Sequence, residues 1–136
     1  MSSEWSVRQA PSLAELEAIA DAALKRLPQR FRDLCKDVVI RVEDFPTDEV
    51  LDAMGIESPF DLFGLYLGVD LSRQSVMDAA ALPEMVFLYR RPILDYWAEH
   101  EETLGAVVTH VLVHEIGHHF GLSDADMERI EDEVAA

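Results

Sequence analysis

The sequence is short of three things, and each shortage excludes something. Of its 136 residues only Cys35 is a cysteine, so no disulfide can form within the chain. Basic residues are few: 11 Lys and Arg stand against 27 Asp and Glu, a formal net charge of -16. A field of that sign repels phosphate backbones and anionic headgroups, so no nucleic acid and no membrane surface is expected as a partner, whereas cations are favoured. The third shortage is of uninterrupted apolar sequence. The most apolar stretch, Leu104 to Leu122, contains His110, His114, Glu115, His118 and His119, which suits a buried helix rather than a membrane span. Met1 to Gln9 also lacks the basic start, apolar run and cleavage site of a secretory leader. Together with the single cysteine, this makes a reducing cytoplasm the expected location.

An apolar fraction of 49% is too high for disorder, and the length predicts one domain, 1–136, with residues 1–11 a flexible lead-in. No internal repeat, low-complexity tract or linker divides the chain. Ser12 with Glu15 has capping-box spacing, Leu13, Leu16, Ile19, Ala20, Ala23, Leu24 and Leu27 recur helically, and Pro28 ends the run. A short helical piece over Gln29 to Cys35 follows. Val38 to Phe45 alternates and is β-branched, predicting a strand, and Thr47 to Gly55 predicts a short capped helix. Phe60 to Leu71, interrupted by Gly64 and Gly68, reads as a bent strand, and Met85 to Tyr89 as another, with a loop carrying one helical turn at Ser72 to Pro83. Pro92 suits the first turn of a helix to His100, Thr103 can cap a long helix ending at Gly121, and Ser123 or Asp124 starts a last short helix. Helices and strands segregated in this way predict the α+β class.

Inside the long helix lies His114-Glu115-Ile116-Gly117-His118, an H-E-x-x-H pattern. Histidines four apart project from one helical face and can bind one Zn²⁺, while the glutamate, about 100° around, can reach a water on the metal. By chance alone the pattern arises in about one chain in a few hundred of this length. On the same wheel Val107 and Val111 share the histidine face, whereas Leu112, Val113, Ile116 and Phe120 point to the core. Catalytic zinc needs a third protein ligand and one position left for water. Gly121 can turn the chain back and bring Asp124 to a point where its carboxylate completes the set, giving H-E-x-x-H-x-x-G-x-x-D. Metzincins place a histidine there. Gly117 in a helix interior suggests close packing by a neighbour, and His110 and His119 read as satisfied histidines, with His110 one turn before His114 and able to line the cleft.

These residues resemble the minimal bacterial zincin-like metallopeptidases. The likeness extends to GLYLGVDL (Gly64 to Leu71), LPEMVFLYRRPIL (Leu82 to Leu94) and VLVHEIGHHFGLSD (Val111 to Asp124), about half of the chain. It implies a zincin-like fold with a small sheet packed on the active-site helix, zinc held by His114, His118 and Asp124, and Glu115 as catalytic base. Its substrate would be a peptide or protein. Unlike full-size metzincins, this sequence has no methionine turn and no C-terminal subdomain after the motif, and Met127 is too close and too helix-like to be that turn. The primed side of a cleft is therefore expected to be open or supplied by another chain. A substrate is expected along an exposed edge of Met85 to Tyr89, with oxyanion support from Tyr66, Tyr89, His119 or Arg91. Arg90 and Arg91 otherwise read as a solvated strand end.

Two alternatives belong to other classes. A non-catalytic zinc-stabilised binding module would have a fourth protein ligand such as His110 or His119 in place of water. A metal-dependent ribonuclease would use an H-x-x-x-H followed by a third histidine, and both Glu115 and the charge of -16 argue against it.

Overall fold

Ser12 opens the first helix as its spacing predicts: its hydroxyl accepts from the Glu15 N–H, and the Glu15 carboxylate accepts from the Ser12 N–H. The structure is a computed structural model, and it describes residues 4–68 and 84–135. The loop expected at Ser72 to Pro83 and the last residues of the strand expected over Phe60 to Leu71 lie outside these. Within the lead-in, Glu4–Val7 form one 3-10 turn, and the Pro11 carbonyl accepts from Arg90 Nε at 2.5 Å. Arg90 is therefore not a solvated strand end. Its guanidinium also pairs with Asp44 at 3.1 Å.

Helix α1 spans Leu13–Arg26 and is followed by α2, Gln29–Arg32, which tightens into a 3-10 turn at Asp33–Cys35. Strand β1 is Val39–Glu43 and α3, capped by Thr47, is Asp48–Met54. After a 3-10 turn at Pro59–Asp61 come β2, Gly64–Leu67, and then β3, Met85–Tyr89. The last three helices are α4, Arg90–Glu99, α5, Leu104–His119, and α6, Asp124–Ala135.

Among the described residues the sheet is three-stranded in the order β1-β3-β2. β3 pairs parallel with β1 and antiparallel with β2, so the sheet is mixed. Val42, Val86 and Leu88 face α1 and α5 and are buried, as are Leu16, Ala20, Val108, Leu112 and Ile116 from the two helices. Residues Leu65, Leu67, Phe87 and Tyr89 stand on the other face, around a cavity of about 220 Å³. The α+β class is thus as expected. The edge role expected of Met85 to Tyr89 is not: both edges of β3 are already paired. Its continuous apolar run MVFLY is the pattern of a strand buried at the centre of a sheet, and β2 is an outer strand beside α5.

Leu112, Val113 and Ile116 enter the core as the helical wheel of α5 predicts. Phe120 does not, because the helix has ended and the side chain is 36% exposed. Val107 and Val111, on the histidine side, are buried as well, so the open part of that side is made by the histidines, His110 and His118 exposed and His114 partly so. Gly117 meets Met127 of α6: a Cβ on Gly117 would lie 2.5 Å from Met127 Sδ and 2.9 Å from its Cγ. Met127 is fully buried, so it has little freedom to retreat. Gly117→Ala is therefore expected to lower stability by about 1–3 kcal/mol through overpacking, despite the helix-propensity gain. Gly105→Ala, where nothing lies within 4 Å of the new methyl, should raise it by up to about 1 kcal/mol. Urea unfolding of the two variants checks this, and equal behaviour would remove the packing role of Gly117.

Candidate metal centre

The centre is assembled by the end of α5. Leu122 N donates to the Gly117 carbonyl at 2.9 Å and Gly121 N to that of His118 at 3.2 Å, the paired bonds of a Schellman stop. Gly121 takes φ +75°, a conformation that a side chain would strain. The reversal brings α6 back beneath α5. Ser123 caps α6: its hydroxyl accepts from Asp126 N at 3.1 Å while its own N–H donates to the Asp126 carboxylate at 3.3 Å. With Ser123 holding the cap, the Asp124 side chain has no structural duty there. It is 92% exposed, and its Oδ1 lies 3.7 Å from His118 Nε2.

His114 and His118 rings stand 5.6 Å apart, edge to face. His114 leans the other way along the helix, its ring 4.0 Å from that of His110 and its Nε2 3.8 Å from Glu131 Oε2 of α6. His118 and Asp124 are thus drawn together while His114 is turned toward His110 and Glu131, and these last three offer donor atoms all within 4.8 Å of one another. Burial and the neighbouring His110 hold the His114 imidazole below its usual pKa. The shift favours the neutral imidazole, the form that binds a metal.

Glu115 sits on the side of α5 that faces β2. A Cβ on Gly64 would lie 3.1 Å from Glu115 Cγ, 2.9 Å from Val111 Cγ1 and 3.0 Å from the Phe87 carbonyl, so glycine is what lets the strand come this close. Burial pushes the Glu115 carboxyl above the usual carboxylate range, partly offset by His118. Such a shift suits a group that must take and give a proton near neutral pH.

Three of the four oxyanion candidates are engaged elsewhere, and the fourth, Tyr89, is within electrostatic reach of Glu43 and Glu115. Tyr66 donates its hydroxyl to Glu84 Oε2 at 2.5 Å and stacks on His119, whose Nε2 is 3.8 Å from Glu84 Oε1. Tyr89 is buried at the start of α4, and the Arg91 guanidinium lies over the Phe45 ring. Glu131 was not foreseen from the sequence. Its signal is faint but present: it stands four residues after the buried Met127, on the edge of the stripe formed by Met127, Ile130 and Val134, so α6 turns it toward α5.

With this geometry in place, the sequence profile of the zincin-like metallopeptidases matches residues 35–134. The chain belongs to the zincin-like metallopeptidase family. No curated protein matches it. The region matched runs from Cys35 to Val134, and so includes the whole sheet, α5 and nearly all of α6, while leaving out α1, which packs on α5 and β1. Zinc is the metal that membership implies for this zincin-like chain, and its imidazole and carboxylate donors suit that ion. No helix among the described residues is long and apolar enough to cross a membrane.

The raised Glu115 carboxyl has a consequence for stability. The folded state favours its protonated form, so this contribution is fully present below the ordinary carboxylate pKa and is lost as pH rises through the raised value. In chelator-treated protein, Glu115→Gln cannot ionise and should melt at a higher temperature than the parent near pH 8, with the difference shrinking towards about pH 4. A difference that does not change with pH would mean that the carboxylate is not penalised by burial.

Proposed function

We propose that the protein is a zinc-dependent peptide hydrolase in which His114, His118 and Asp124 hold the metal and Glu115 is the general base. The observation that carries this reading is the grouping at the end of α5: a neutral-biased His114, His118 with Asp124 at 3.7 Å, and a half-buried Glu115 of raised pKa between the two histidines in sequence. Zn²⁺ held there would supply Lewis acidity, lowering the pKa of a water and polarising a carbonyl. Glu115 takes the proton of the attacking water and returns it to the leaving amine nitrogen, a role for which a raised pKa is favourable. Among the described residues β2 is the outer strand beside α5 and no strand pairs with its far edge, so that edge can offer main-chain groups to an extended peptide, which supports substrate docking on Gly64–Leu67 rather than on β3. Gly64 removes the side chain that would otherwise separate that strand from Glu115.

Glu115→Gln is expected to retain zinc, measured by elemental analysis, and to lose about 10²-fold or more of peptide hydrolysis, measured on a mixed peptide library. Retained turnover would remove Glu115 from the base role. Asp124→Ala should weaken zinc retention while leaving the circular dichroism of the helices unchanged, because Ser123 keeps the α6 cap. Undiminished zinc affinity would place the third ligand elsewhere.

A further inference from the structure

Outside the set just assigned, two side chains converge on His114 from the opposite direction. His110 lies one turn earlier on α5, and its Nδ1 is 2.7 Å from Glu131 Oε1. His114 Nε2 is 3.8 Å from the second oxygen of the same carboxylate. The Glu131 Oε1 atom is shut off from solvent, and among the described residues no donor points at it in hydrogen-bond geometry, His110 included. A buried carboxylate oxygen left in this way is costly unless something else satisfies it. Donor atoms around a tetrahedral Zn²⁺ are separated by about 3.4 Å, given bonds of about 2.0–2.1 Å; the two histidine contacts to the Glu131 carboxylate, 2.7 and 3.8 Å, lie on either side of that value, and one donor atom from each of the three residues lies within 4.8 Å of the others.

We infer that His110, His114 and Glu131 form a second site for a borderline divalent cation such as Zn²⁺ or Co²⁺, sharing His114 with the metal centre of the proposed hydrolase. The site opens on a groove of about 410 Å³ whose lining includes His110, Glu102, Glu131 and Asp132, with Arg26 opposing them. Three carboxylates against one guanidinium favour the arrival of a cation. Because His114 turns its Nε2 to Glu131, and one nitrogen holds one ion, filling this site takes that nitrogen away from an ion at His118 and Asp124. The two sites therefore exclude one another, and the chain binds one ion rather than two. This inference rests on the ligand role of His114 in the proposed function, but not on turnover.

The test uses Co²⁺ as probe, with calorimetry for affinity and stoichiometry and visible absorption for the ligand environment. In the full chain carrying His118→Ala and Asp124→Ala, both at exposed positions, one Co²⁺ should still bind. Adding Glu131→Gln or His110→Ala to that background should weaken binding by at least the ~10–100-fold that loss of an outer partner costs. In the otherwise unaltered chain Glu131→Gln should bind one Co²⁺ through His118, with an absorption spectrum different from that of the His118→Ala/Asp124→Ala protein. No binding in that double variant, or binding indifferent to Glu131 and His110, would show an ion pair only and overturn the site. Complete loss of binding with Glu131→Gln alone would also overturn it, by making Glu131 a ligand of the primary centre. Failure of the hydrolase reading is separate: it would appear as no peptide hydrolysis by the zinc-loaded parent chain, with the Co²⁺ results unaffected.

Discussion

The placement of the site depends on how closely α5 is gripped by its neighbours. On one side β2 approaches over Gly64, close enough that a methyl there would press on Val111 and Glu115; on the other α6 approaches over Gly117, into whose missing side-chain space Met127 inserts. Interiors pack at crystal-like density, so contacts of this kind fix a helix in rotation as well as in position. Rotation is what matters here. A turn of α5 that relieved either contact would swing His114 and His118 away from α6 and move Glu115 off the strand.

The same grip sets the electrostatics. Pressing β2 onto α5 takes Glu115 partly out of water, and burial then favours its neutral form. Burial acts on His114 in the opposite sense, because the charged form of an imidazole is its protonated one. One packing arrangement therefore yields a carboxylate inclined to hold a proton next to an imidazole inclined to release one. His118 and Asp124, at 60% and 92% exposure, remain on the solvent side where an ion can enter. The large negative charge is spread over the chain, but α6 concentrates part of it, with Glu131 and Asp132 lining the groove at His110.

Much of this was legible in the residues because the signals are local. Caps at Ser12, Thr47 and Thr103, the stop at Gly121 and the H-E-x-x-H spacing are each decided within one or two helical turns, and each appears where the spacing puts it. Gly117 announced a close neighbour without saying which; Met127 is that neighbour. What was not legible depends on pairing between distant segments. Nothing local in MVFLY says whether its edges are free, and the sheet order places it in the centre, with β2 outside it. The direction of His114 is likewise a tertiary fact. The motif specifies its spacing to His118, but its lean toward Glu131 follows from how α6 folds back after the Schellman stop. Phe120, assigned to the core by the helical wheel, escaped it because the wheel was extended past the residue where the helix ends.

The claim on which all of this converges is that His114 is the anchor of a single bound ion. Anomalous diffraction at the zinc edge, from crystals of the full chain grown with one equivalent of zinc, tests it most directly. The account predicts one peak bonded to His114, His118 and Asp124, with Glu115 close by but outside bonding distance. No peak at His114, or a peak with Glu115 itself among the ligands, would contradict it.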